Sequence, residues 1–122
     1  MRKKILLADD SKTALFMVST LLKKEQYVLV TAHDGQQAVE VAIAEHPDLI
    51  LMDVVMPRKT GFEACLELKN REDTKSIPVI LVTTRGEGDN VETGFACGCN
   101  DYVTKPINAQ ELLAKVRDHI AG

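Results

Sequence analysis

Leu49-Ile50-Leu51-Met52-Asp53 is the stretch on which the fold turns. Four consecutive apolar residues show no alternation with polar positions, so both faces of this segment must be covered, as in an inner strand of a parallel sheet. The run then stops on a carboxylate. Two other runs share the pattern: Ile5-Leu6-Leu7-Ala8, followed by Asp9 and Asp10, and Val79-Ile80-Leu81-Val82, followed by Thr83. Segments of helical period lie between them, with Leu15, Val18 and Leu22 in one and Ala38, Val41 and Ala42 in the next. Helix starts are marked by Asp34-x-x-Gln37, Thr60-x-x-Glu63 and Asn108-x-x-Glu111, each a capping acceptor with Glu or Gln three residues on. Weaker strands from Val28 to Ala32 and from Asp101 to Thr104, and a last helix carrying Leu112, Leu113, Val116 and Ile120, complete the pattern. Strand and helix alternate five times. The expected architecture is α/β: a five-stranded parallel sheet, doubly wound with five helices through right-handed crossovers.

A length of 122 residues with 45% hydrophobic content supports one core, so a single domain over residues 1–122 is expected. Fifteen basic residues against eighteen acidic ones give a net charge of -3, which offers a nucleic acid no electrostatic attraction. Arg2-Lys3-Lys4 precedes only four apolar residues, too few for a signal peptide or a membrane span, and the expected location is cytoplasmic without membrane insertion. Cys65, Cys97 and Cys99 lack the paired spacing of a zinc site and read as thiols of a reducing compartment, with Cys97-Gly98-Cys99 read as small residues in a helix end and turn. His33, His46 and His119 are scattered, and read as solvated surface residues.

In an open α/β sheet, ligands bind beyond the carboxyl ends of the strands. Asp9 and Asp10 follow the first strand, Asp53 the third and Lys105 the fifth, while Thr83 ends the fourth, so these five side chains are expected at one edge. Three neighbouring carboxylates repel one another and raise the cost of ionisation. Mg²⁺ relieves that cost, because it takes one or two carboxylates together with waters and phosphate oxygens; Asp10 and Asp53 suit direct ligation, with Asp9 nearer the waters. Asp53 is then a nucleophile toward phosphorus, and Lys105 neutralises the phosphoryl charge from the side away from the metal. Singly, each residue has a duller role as a cap, a surface charge or a β-former. Together, ending successive strands of one sheet, they favour a site.

Asp9-Asp10, Asp53-Val54-Val55-Met56-Pro57 with Gly61, Thr83-Thr84, and Asp101-Tyr102-Val103-Thr104-Lys105-Pro106 resemble the response-regulator receiver domain of bacterial two-component systems, in the stand-alone form of chemotaxis regulators. The resemblance spans nearly the whole chain and implies a flavodoxin-like sheet of order 2-1-3-4-5. It implies that Asp53 accepts a phosphoryl group from a phosphohistidine on a histidine kinase or histidine phosphotransfer protein. By the same likeness Asp9, Asp10, Asp53 and the backbone carbonyl of Val55 hold Mg²⁺. Thr83 is expected to bond the phosphoryl oxygen and Tyr102 to turn inward with it, altering the surface of the fourth helix, fifth strand and fifth helix for a downstream protein. Such a domain is not an enzyme acting on another substrate, since it catalyses only its own phosphorylation and dephosphorylation. The Lys105-Pro106 bond is expected to be cis. Thr84 stands where the family usually has a very small residue, and Arg85, like Thr84 and Pro106, is expected near the phosphoryl group.

Three rivals are weaker. An aspartyl-phosphate hydrolase of the haloacid dehalogenase type wants acids two apart after the first strand, where this chain has Asp9 and Ser11. A flavodoxin-like FMN carrier needs a phosphate-cradling loop there, and Asp9-Asp10 would repel the phosphate. A receiver-fold interaction domain that is never phosphorylated has no need of the full residue set.

Overall fold

The structure is a computed structural model that describes residues 2–84 and 96–120, Thr84 by its backbone only. Five strands form one parallel sheet: β1 (Lys4–Ala8), β2 (Val28–Ala32), β3 (Leu49–Asp53), β4 (Val79–Thr84) and β5 (Asp101–Lys105). Their order is β2-β1-β3-β4-β5. Helices α1 (Lys12–Lys23), α2 (Gly35–Glu45) and α3 (Gly61–Lys69) lie between strands, and a C-terminal helix spans Ala109–Ile120. Four of the five expected helices thus fall among the described residues; the fourth, expected between β4 and β5, lies outside them.

The unbroken apolar runs divide by parity into two cores, because successive strand side chains point to opposite faces. Leu6, Ala8, Ile50, Met52, Val79 and Leu81 pack with α2 and α3 residues such as Ala38, Val39, Ala64 and Leu68. Ile5, Leu7, Leu49, Leu51, Ile80 and Val82 pack instead with Leu15, Val18 and Leu22 of α1 and with Leu112, Val116 and Ile120 of the C-terminal helix. Each fully buried Leu or Ile contributes roughly 1.5–3 kcal/mol of transfer free energy. That is why the runs Ile5–Ala8, Leu49–Met52 and Val79–Val82 within β1, β3 and β4 hold no polar positions.

In α2 the buried stripe is Gly35, Ala38, Val39 and Ala42, so Val39 takes the inward place that periodicity offers equally to Val41, which is half-buried. The cap signals correspond to hydrogen bonds: Gln37 N–H donates to Asp34 Oδ1 at 2.7 Å, and Glu111 N–H to Asn108 Oδ1 at 2.9 Å. Thr60 and Glu63 form a reciprocal capping box. Gln37 departs from that pattern, its Oε1 accepting from the His33 N–H rather than from Asp34. Helix α1 is capped by Ser11, whose Oγ accepts the Ala14 N–H at 3.2 Å. Among the described residues, no helix is long and apolar enough to cross a membrane.

Candidate functional site at the carboxyl edge of the sheet

Asp53 is the last residue of β3 and continues the row of Leu49 and Leu51. It is buried, and pairs in register with Val82. Asp9 extends β1 by one residue, its N–H donating to the Ala32 carbonyl, and continues the row of Ile5 and Leu7. Lys105 ends β5 two residues after buried Val103. Parity therefore sends Asp9, Asp53 and Lys105 to the same face of the sheet. There the Lys105 Nζ lies 3.3 Å from Asp53 Oδ2 and 3.7 Å from Asp9 Oδ2.

Asp10 is exposed, yet it offers a carboxylate oxygen to the same place: ligand atoms of Asp9, Asp10 and Asp53 all lie within 4.8 Å of one another. The capping explanation for the acidic pair fails, because Ser11 fills that role and Asp9 Oδ1 merely accepts the Ser11 N–H at 2.9 Å. Burial pushes the Asp53 carboxyl above its ordinary range and the Asp9 charge pushes it further; the Lys105 ammonium and the Val55 backbone amide pull the other way.

The remaining predicted residues are placed as follows. Thr83 is buried, one residue beyond Asp53's register partner, and by alternation continues the row of Val79 and Leu81. It thus approaches the strand ends from the opposite face to Asp53 and Lys105. Val55 is exposed in the loop after β3. Tyr102, half-buried in β5, receives the Lys115 Nζ over its ring at 4.9 Å, and its carbonyl accepts from the same amine at 2.6 Å. The Lys105-Pro106 peptide is cis, with Pro106 exposed. The backbone of Thr84 pairs with Lys105. The expected roles of the Thr84 side chain and of Arg85 lie outside the described residues.

The three cysteines are buried thiols outside any disulfide, with burial raising Cys65 and bringing Cys99 to about 11. One sequence expectation needs correction. His119 is not simply solvated, since its Nε2 sits 3.0 Å from Asp101 Oδ2, which the packing of the C-terminal helix on β5 brings about. Sequence reasoning also passed over Gly61, although it stands in the quoted motif. A Cβ there would lie 2.3 Å from the Asp53 carbonyl oxygen, so α3 starts in direct contact with the acidic residue's backbone.

Three carboxylates and an ammonium group thus converge at the carboxyl edge of a doubly wound α/β sheet, the place where ligands bind in folds of this kind. The chain belongs to the response-regulator receiver domain family, whose model matches residues 5–117. It is a receiver of two-component signalling. It is 37% identical over 119 residues to the protein PilH of Pseudomonas aeruginosa, covering 98% of each chain. Among solved structures it is similar to the chemotaxis response regulator CheY4 of Vibrio cholerae, with a TM-score of 0.90 and 32% identity over 97% of this chain and 98% of that one. It is also similar, at a TM-score of 0.92 and 29% identity with full coverage of both, to the receiver domain of a Pseudomonas aeruginosa sensor histidine kinase that has a magnesium ion in its active site cleft.

Proposed function

We propose that Asp53 is the phosphoryl acceptor of this receiver and that Mg²⁺ is held by Asp9, Asp10, Asp53 and the carbonyl of Val55. The observation that carries the reading is the meeting of three carboxylates, their ligand atoms within 4.8 Å of one another, with Lys105 beside the two buried ones. The donor set fits the ion: hard oxygens only, with a net negative charge that one ammonium does not cancel. Bound there, Mg²⁺ would offset the negative charge of an incoming phosphoryl group. An Asp53 carboxylate oxygen forms a bond to phosphorus while the donor's phosphorus–nitrogen bond breaks, and the freed imidazole leaves with the donor. Lys105 Nζ moves from pairing Asp53 to pairing the new phosphoryl oxygens. Thr83 hydrogen-bonds one of these oxygens, and Tyr102 passes the change to β5 and the C-terminal helix.

The donor is a histidine kinase or phosphotransfer protein. Its approach is favoured by a groove of 360 Å³ that runs from Lys105 to Ala14, Met17 and Leu21 of α1, beside Phe16, which is 73% exposed. A downstream protein reads the phosphorylated state. The domain acts in the cytoplasm, covers residues 1–122, and turns over no substrate beyond its own phosphoryl group.

Amide spectra recorded with Mg²⁺, before and after adding acetyl phosphate, test the switch. Shifts are expected at Thr83, Tyr102 and along the C-terminal helix as well as around Asp53. Changes confined to residues 9–10 and 53–57 would rule out transmission to that surface.

A further inference from the structure

The loop that carries Val55 is pinned by a residue with no evident reason to adopt its conformation. Arg58 has φ of 69°, and across it the Lys59 N–H donates to the Pro57 carbonyl at 2.8 Å. An i to i+2 hydrogen bond about a residue of positive φ has the features of the rarer, strained γ-turn. A side chain at that φ is disfavoured, and such strain persists only where the surroundings over-determine it.

Those surroundings are two helix starts. The Pro57 carbonyl also accepts the Gly35 N–H at 3.4 Å, and a Cβ on Gly35 would lie 2.0 Å from the Lys59 carbonyl oxygen. Arg58 Nη1 reaches Asp34 Oδ2 at 3.3 Å, while the other Asp34 oxygen caps α2. On the far side, Lys59 pairs with Glu67 of α3, and the Gly61 N–H donates to the Val54 carbonyl at 2.8 Å. Residues 54–60 are therefore stapled between α2 and α3. Val55, whose carbonyl the cation reading assigns as a ligand, lies within this loop.

We propose that Arg58 is a positioning residue for the cation site, holding the strained turn, and through it the Val55 peptide, by its ion pair with Asp34. The inference rests on the cation reading given above. Arg58 touches neither the ion nor the phosphoryl group. Its effect runs through backbone geometry, because Mg²⁺ demands near-ideal octahedral ligand placement and tolerates little drift in a carbonyl ligand.

The sign of one substitution separates this role from simple charge. Deleting a cation near the site would by Coulomb's law alone tighten Mg²⁺ binding. The tether requires the opposite.

Isothermal titration of MgCl₂ into the full chain reads the effect directly, with thermal melting in EDTA as the control for folding. Arg58→Ala is expected to weaken Mg²⁺ binding roughly two- to fivefold, the range an exposed ion pair can transmit. Its metal-free melting temperature should stay within about 2 °C of wild type. Arg58→Lys should restore most of the affinity. In an Asp34→Asn background, which keeps the capping oxygen, adding Arg58→Ala should weaken binding no further. Unchanged or tighter binding by Arg58→Ala, failure of Arg58→Lys to rescue, or a second full loss in the Asp34→Asn background would each overturn the tether. Failure of the wild type to bind Mg²⁺ would instead overturn the cation site itself.

Discussion

Lys105 Nζ stands 3.3 Å from Asp53 Oδ2, although 52 residues separate the two in the chain. Only the pairing of β3 with β4 and of β4 with β5 brings them together, and parity then puts both on one face. The ammonium neutralises part of a partly buried acidic cluster in which Asp53 would otherwise resist ionisation, while leaving a net negative charge for a dication.

The first consequence concerns stability. Burial and the Asp9 charge raise the Asp53 carboxyl above its unfolded value, so the folded chain binds this proton more tightly than the unfolded chain. Between the two values stability then falls as pH rises, and above them the ionised Asp53 burdens the metal-free fold. Asp53→Asn should therefore melt higher than wild type in EDTA at neutral pH. The gain should vanish near pH 4, and saturating Mg²⁺ should raise the wild-type melting temperature more than that of the variant. A variant less stable than wild type in EDTA would contradict the strain assigned to the carboxylate cluster.

Lys105→Met removes the ammonium while keeping much of the side-chain volume. Loss of one preorganised electrostatic contact to a transferring phosphoryl group typically costs about 10²-fold in rate. The initial rate of phosphoryl incorporation from acetyl phosphate should fall by roughly that factor. Because Lys105 lowers the Asp53 carboxyl, the variant's rate should also rise with pH over a range shifted upward. A wild-type rate would remove Lys105 from the mechanism.

Gly61→Ala tests how closely α3 is seated on the site. The added methyl would meet the Asp53 carbonyl oxygen at 2.3 Å and Val54 Cα at 2.9 Å, backbone atoms with little room to yield. A loss of about 2–3 kcal/mol in urea unfolding is expected, as for an overpacked core. Mg²⁺ affinity should drop as well, because the displaced backbone carries Asp53.

Much of this arrangement was legible in the sequence because burial leaves a one-dimensional trace. Leu49 to Met52 had to be covered on both faces, and the acids and lysine that end such runs had to reach one edge. The capping oxygens of Asp34, Thr60 and Asn108 were visible for the same local reason. What escaped depends on tertiary placement. Ser11 caps α1 without a Glu or Gln three residues on, so no reciprocal signature marks it. Val39 and Val41 fit the helical period equally until packing selects the stripe containing Gly35. His119 meets Asp101 only because the C-terminal helix packs against β5. Arg58 gives no hint of a left-handed backbone, since that conformation is signalled by Gly or Asn and here is imposed by its neighbours.

The most direct measurement is the intact mass of the chain after incubation with acetyl phosphate, with and without Mg²⁺, for wild type and Asp53→Asn. One phosphoryl adduct on wild type, present with Mg²⁺ and absent in EDTA and on Asp53→Asn, is the expected result. An adduct of equal yield on Asp53→Asn, or none on wild type with Mg²⁺ present, would contradict the assignment of Asp53 as the phosphoryl acceptor.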